Sequence, residues 1–306
     1  MTPSDQKPQQ QTACGFIALI GAPNAGKSTL LNALVGQKIA IVSHKVQTTR
    51  TRLTGIAIEG QSQLVFVDTP GIFAPRRRLD RAMVAAAWDG ANDADQVVFL
   101  IDAAKGIRED EERIIKGLRE SGRKAVIALN KIDAVPRDRL LGLAQKIQDE
   151  GVAGDIFMIS ALTGDGVADL KTHLAKALPK SPWLYPEDQI TDITSRVLAA
   201  EITREKVFLR LHQELPYGIT VETEKWDDRA DGSFEIHQVI HVSRDGHKGI
   251  VIGKRGQSLK AIGEAARHDM ETMFGRRVHL FLFVRVTERW AEDREHYLSM
   301  GLNYVD

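Results

Sequence analysis

From Gly15 onward the chain alternates short, unbroken apolar runs with longer stretches in which apolar residues recur every three or four positions. Five runs predict strands: Phe16–Ile20, Leu64–Val67, Val97–Ile101, Ala125–Leu129 and Ile156–Ile159. An unbroken apolar run has no polar face, so each strand must be covered on both sides, as in a largely parallel sheet between helices. Leu53–Glu59 adds an edge strand just ahead of Leu64. The periodic stretches predict helices over Lys27–Val35, Arg78–Ala91, Arg108–Glu120, Arg137–Glu150 and Gly166–Leu178. The fold class expected of this part is α/β, a mostly parallel sheet sandwiched by helices.

Pro179, Pro182 and Pro186 then stop the helical pattern, because proline has no N–H to continue the ladder. They predict a stiff linker over 180–190. Beyond it the order changes to a long helix at about Asp192–His212 and strands at Ile219–Trp226 and Phe234–Val242. Helical stretches flank Gly253–Gly256, and a strand at Val278–Val286 and a short helix from Glu288 close the chain. This is an α+β domain of different design. Residues 1–13, rich in Gln and Pro, predict a disordered tail, leaving domains at 14–179 and 191–306.

Composition narrows the function classes. A hydrophobic content of 43% in 306 residues supports two buried cores and excludes wholesale disorder. Lys+Arg and Asp+Glu number 41 each, so no global charge points to a polyanion, although a balanced total can hide a local patch. The lone Cys14 excludes an intramolecular disulfide framework and a Cys-rich zinc site. No apolar run approaches the ~18 residues of a membrane helix, and the first residues lack the order of a secretory signal. A cytosolic protein is expected.

Gly21-Ala22-Pro23-Asn24-Ala25-Gly26-Lys27-Ser28 fits G-x-x-x-x-G-K-[ST] directly between a strand and a helix, with Thr29 next. Its glycines let backbone N–H groups wrap a phosphate, and the helix N-terminus adds partial positive charge. Lys27 brings a point charge to the β- and γ-phosphates, and Ser28 offers a hydroxyl to Mg²⁺. Asp68-Thr69-Pro70-Gly71, followed by Ile72, ends the second apolar run. The Asp68 carboxylate can hold the metal through water, and Gly71 can bring its N–H to the γ-phosphate. Asn130-Lys131-Ile132-Asp133 ends a later strand, where Asp133 can accept from both N1–H and the exocyclic amine of guanine. Ser160-Ala161 ends the last strand and can supply backbone N–H to guanine O6. All four motifs fall at the C-terminal ends of strands, where α/β sheets bind ligands.

These motifs resemble those of the translation-factor-type GTPases over Gly15 to about Leu178. The resemblance reads a switch segment in Gln47-Thr48-Thr49-Arg50, after Gly36-Gln37-Lys38-Ile39-Ala40, and assigns Thr49 as an Mg²⁺ ligand in the GTP state. Ile72 stands where Ras-like proteins carry the glutamine that orients the attacking water, so intrinsic turnover is expected to be slow. In a related group an asparagine at the position of Asn24 helps hold K⁺ near the β- and γ-phosphates, in place of an arginine finger. The competing reading is that Asn24 simply tolerates a left-handed turn. The catalytic set is then Asn24, Lys27, Thr49 and Gly71.

In the second domain, Val251-Ile252-Gly253-Lys254-Arg255-Gly256 places two cations between paired glycines, with Lys260 on the next helix. Glycines allow close approach to a sugar–phosphate chain, and the adjacent apolar groove can contact bases. Residues 248–277 hold seven Lys/Arg against three Asp/Glu, whereas 181–306 hold 17 against 21. A basic face on an acidic domain suits a confined single-stranded RNA track. The arrangement looks like a type 2 KH domain. Together the two parts resemble the bacterial Era family over nearly the whole chain, with matching stretches at Thr48-Thr49-Arg50, Glu214-Leu215-Pro216-Tyr217 and Val251-Ile252-Gly253. The resemblance implies a monomeric GTPase that binds the 3′ end of small-subunit ribosomal RNA and assists small-subunit assembly. It also implies peripheral contact with the cytoplasmic side of the inner membrane.

Two alternatives compete: an RNA-binding assembly factor whose nucleotide site is only structural, and a tRNA-modification GTPase. Intact Lys27, Ser28, Thr49 and Asp68 oppose the first, and Gly253–Gly256 opposes the second. Among weaker features, Arg76-Arg77-Arg78 either touches RNA or forms a solvated loop. His237 and His241 share a strand face without a third ligand, and Trp290 is expected to anchor the closing helix.

Overall fold

The computed structural model describes residues 12–43, 53–211, 219–287 and 302–303. Two compact units divide the described residues. In the first, strands β1 (Ala13–Gly21), β2 (Leu53–Glu59), β3 (Ser62–Asp68), β4 (Gln96–Asp102), β5 (Ala125–Asn130) and β6 (Ala153–Ile159) form one sheet in the order β2-β3-β1-β4-β5-β6. Every pairing is parallel except β2 with β3. Helices α1 (Lys27–Val35), α2 (Arg78–Asp93, grouped with this unit only from Ala87), α3 (Glu109–Glu120), α4 (Arg137–Asp149) and α5 (Val167–Lys176) separate the strands in sequence. Ile17, Leu19, Ile20, Phe66 and Phe99 are fully buried, as unbroken apolar strands require. The register pairs Leu19 with Asp68, Gly21 with Leu100, Asp102 with Asn130, and Asn130 with Ile159. One end of the sheet therefore gathers the C-terminal ends of five strands.

The proline-bearing segment is not a free spacer. It crosses from the start of β1 to the antiparallel edge strand β2: Ala13 bridges Lys180, Gly55 bridges Thr191, and the Ile56 N–H donates to Ile190 O at 2.8 Å. Its chief anchor is Gln63, fully buried in β3. The Gln63 amide donates to Tyr185 O at 2.8 Å, and its oxygen accepts from the N–H groups of Leu184 (2.9 Å) and Tyr185 (3.0 Å). Trp183 Nε1 donates to Gln61 O at 3.1 Å. The prolines keep the chain extended, and the N–H groups between them are the ones Gln63 takes. This contact joins residues far apart in sequence, which is why proline spacing alone suggested a spacer.

The second unit contains α6 (Ser195–Arg210), β7 (Ile219–Asp228), β8 (Phe234–Val242), α7 (Asp245–Ile252), α8 (Gln257–Phe274) and β9 (Val278–Val286). Its sheet runs β7-β8-β9, antiparallel then parallel, giving the α-β-β-α-α-β order of a type 2 KH fold. The Thr194 hydroxyl caps α6, accepting from the Val197 N–H. One core cluster joins Leu198, Ile202, Ile236, Ala266 and Met270; a second joins Val207, Ile219, Ile240, Val251 and Ile262. Residues 38–43 also belong to this unit. Lys38 Nζ lies 2.6 Å from Glu205 of α6 and 3.1 Å from Asp269 of α8, and buried Glu205 also accepts the Val42 N–H at 2.9 Å.

The expected α/β and α+β architectures are both present. Residues 47–50, Glu214–Tyr217, Trp290 and the helix expected from Glu288 lie outside the described residues, as does most of the N-terminal tail. Gln63→Ala would leave three backbone groups of the strap without their partner. It should lower the unfolding free energy by about 1–3 kcal/mol, measured by urea denaturation; an unchanged midpoint would mean that the strap adds nothing to stability.

Candidate functional site

The Gly21–Ser28 loop lies between β1 and α1. Lys27 is buried and folds back across the loop, donating to the carbonyls of Gly21 (3.0 Å) and Ala22 (3.2 Å). Burial pushes its ammonium down to about 8, against the upward pull of the nearby Asp68 carboxylate. Phosphate oxygens would favour the charged form. Ser28 Oγ donates to Asp68 Oδ2 at 2.7 Å, so a hydroxyl and a buried carboxylate already adjoin at the head of α1. Two hard oxygen donors of this kind fit Mg²⁺. Thr29 follows within the first turn of α1, and Thr49 lies outside the described residues.

Gly26 has φ 103°, and a Cβ there would fall 2.2 Å from the Asn130 amide nitrogen. Only glycine allows the loop and the Asn130 side chain to meet. Asn24 occupies the left-handed region at φ 64°, so a turn role alone accounts for an asparagine here. Thr69 is buried and donates its hydroxyl to Leu19 O at 2.8 Å, tying the end of β3 to β1. Pro70 and Ile72 are buried, and the Ile72 N–H donates to Gly21 O at 3.1 Å. Gly71 sits against the loop: a Cβ there would be 3.0 Å from the Pro23 backbone.

At the other end, Asn130 braces two segments at once. Its amide nitrogen donates to Ala25 O at 2.8 Å, and its oxygen accepts the Ala161 N–H at 2.9 Å. Lys131, left-handed at φ 68°, reaches back so that Nζ donates to Asn24 O at 2.8 Å and to Asp102 Oδ2 at 2.7 Å. Asp133 is exposed, and one of its oxygens accepts from the buried Ser160 hydroxyl at 2.6 Å. The sequence suggested Ser160 and Ala161 as backbone donors to guanine O6. Here the Ser160 N–H donates to Asp165 O and the Ala161 N–H to Asn130. Both N–H groups are engaged within the protein, and the Ser160 hydroxyl holds one oxygen of Asp133.

Between α7 and α8, Gly253 has φ 72° and a Cβ there would meet Ser258 Cβ at 2.7 Å, so glycine is required for the turn. Lys254, Arg255 and Lys260 are exposed, Val251 is buried, and Ile252 is half-buried beneath them. Arg255 holds a left-handed backbone at φ 52°, ψ 30°, a conformation costing a non-glycine residue about 1–2 kcal/mol. The strain sits at an exposed cation between two glycines. Arg76 and Arg77 are also exposed, and their backbone N–H groups donate to Asp80 Oδ2 at 3.0 and 2.9 Å. His237 and His241 bond to Glu235 and Thr287, and among the described residues no cluster of potential metal ligands forms.

Sequence reading missed Asp102 and the Ser160 hydroxyl. Asp102 did carry a signal, as a carboxylate closing an apolar strand at the ligand end of the sheet. Taken together, fold and site define a phosphate-loop GTPase with a KH domain. Family models agree, with a "50S ribosome-binding GTPase" matching residues 16–131 and a KH domain matching 214–291. The chain is 58% identical to GTPase Era of Rhizobium meliloti (strain 1021), over 96% of this chain and 94% of that one. With GTPase Era of Mesorhizobium japonicum it shares 54% identity over 99% and 98% of the two chains. The chain belongs to the Era GTPase family. Two crystal structures, one of an Aquifex aeolicus Era variant bound to GDP·AlF4⁻ and one of Era with MgGDPNP and nucleotides 1506–1542 of 16S ribosomal RNA, each superpose with a TM-score of 0.90. Each is 38% identical and covers 95% of this chain and 99% of its own. No described helix is long and apolar enough to cross a membrane.

Asp133→Asn should exchange guanine for xanthine, because an amide can donate where the 2-amino group is replaced by oxygen. Discrimination between GTP and XTP should change by on the order of 10⁴, read from competition binding; unchanged preference for GTP would remove Asp133 from base recognition.

Proposed function

We propose that this GTPase uses guanine nucleotide to switch its engagement with the 3′ end of small-subunit ribosomal RNA, and so assists small-subunit assembly. The carrying observation is that one chain joins the four-motif nucleotide site to a strained, cationic Gly253–Gly256 turn. In this reading the backbone of Gly21–Ser28 and the Lys27 ammonium hold the β- and γ-phosphates. Ser28, Thr49 and Asp68 would hold Mg²⁺, which supplies charge neutralisation on the phosphate oxygens. Thr29, Thr69, Pro70 and Ile72 line the phosphates, and the Gly71 N–H meets the γ-phosphate. Asn130, Lys131, Asp133, Ser160 and Ala161 hold the base. Val251, Ile252 and Lys260, with Gly253, Lys254, Arg255 and Gly256, form the RNA track.

Ile72 offers no group to orient water, so basal hydrolysis is slow and depends on charge supplied at the phosphates. Asn24 would hold K⁺ there. The protein is taken to act as a cytoplasmic monomer, and any inner-membrane contact is peripheral.

Turnover measured in KCl and in NaCl at equal ionic strength tests the cation role. The parent should be faster in KCl and Asn24→Ala nearly indifferent; equal rates for the parent would return Asn24 to a turn residue. Lys254→Asp with Arg255→Asp tests the RNA track. Phosphate contacts carry affinity and its salt dependence. The double variant should therefore bind an oligonucleotide of the 16S 3′ end far more weakly and with a flatter salt slope, keeping its GTP affinity and melting temperature. Parent-like RNA affinity at two salt concentrations would contradict the assignment.

A further inference from the structure

We propose that Asp102 is a positioning residue for nucleotide binding, acting through Lys131 on the phosphate loop. The inference rests on the nucleotide-site reading above and adds to it a residue outside the four motifs. Asp102 closes β4 beside Asn130 of β5, with which it is in register, and is only 3% exposed. Its side chain has an anchor besides Lys131: Oδ1 accepts the Ala104 N–H at 3.1 Å, while its backbone carbonyl accepts the N–H groups of Lys105 and Gly106 and closes the turn. The other oxygen, Oδ2, takes the Lys131 ammonium at 2.7 Å, with Lys105 Nζ more distant at 3.7 Å.

Lysine has a flexible stem that gives up much rotamer freedom when it is held in one position. A half-exposed ammonium with one neutral acceptor would not stay in place for long. The buried carboxylate supplies a charge-assisted bond that selects the rotamer reaching Asn24 O at 2.8 Å. That second bond falls on a left-handed residue of the phosphate loop, and Lys131 is itself left-handed. Two strained backbones are thus held in facing turns through one ammonium. Asp102 fixes Lys131, Lys131 fixes Asn24, and the loop around the phosphates keeps its shape. Asp102 touches no nucleotide in this scheme.

A double-mutant cycle on the full chain tests the chain of contacts, with GDP affinity as the readout. Asp102→Asn keeps the size and the turn-capping oxygen but removes the charge, and should raise the GDP dissociation constant about tenfold. Lys131→Met should weaken GDP binding by at least as much. In the Lys131→Met background, Asp102→Asn should add less than about twofold, because the residue it acts through is gone. Guanine-over-xanthine preference should survive Asp102→Asn, since Asp133 is untouched. Thermal melting without nucleotide separates a structural role. If Asp102→Asn weakens GDP binding equally in both backgrounds, or lowers melting temperature while sparing GDP affinity, Asp102 does not position Lys131. If Lys131→Met binds GDP like the parent, the nucleotide-site reading falls first, and this inference with it.

Discussion

A loop can cradle phosphate only if its N–H groups face inward and its carbonyls are held away. In this chain the carbonyls of Ala25 and Asn24 are held by Asn130 and Lys131, side chains from the strand end that also carries Asp133. The Asn130–Asp133 strand end, proposed above to read the base, therefore braces the loop proposed to hold the phosphates. That constraint explains Gly26, where any side chain would strike the Asn130 amide. It also explains why β1, β4 and β5 must be neighbours: their C-terminal ends carry the loop, Asp102 and Asn130.

The second unit also presents a glycine-bounded turn. A turn between α7 and α8 exposes Lys254 and Arg255 while Val251 is buried in the core beneath, so the cations stand on a rigid base. Arg255 bears a left-handed backbone at its own cost, held between two glycines. Both loops hold a non-glycine residue in the left-handed region, Asn24 in the first and Arg255 in the second.

Much of this was legible in the sequence because its patterns are local. Unbroken apolar runs located the parallel strands to within a few residues, and Leu53–Glu59 and Phe234–Val242 matched at both ends. Gly26, Gly253 and the motif residues stood out because loop chemistry restricts residue type at fixed spacing. What escaped depends on partners distant in the chain. Proline spacing could not reveal that Gln63 waits, buried, for Leu184 and Tyr185. Nor could a strand end reveal that the Ala161 N–H is spent on Asn130, or that Lys38 meets Glu205 and Asp269. Such contacts are set by tertiary register, and periodicity carries no record of it.

Asn130 ties the strand end at Asp133 to the Gly21–Ser28 loop and to Ala161. The most direct test is the affinity of the Asn130→Ala variant for tripolyphosphate with Mg²⁺, a ligand that has no base, measured by calorimetry against the parent. If Asn130 braces the loop, the variant should bind tripolyphosphate about tenfold more weakly, although nothing that reads a base is involved. Affinity equal to the parent's, alongside weakened GTP binding, would show that Asn130 serves the base alone and that the phosphate loop stands unaided.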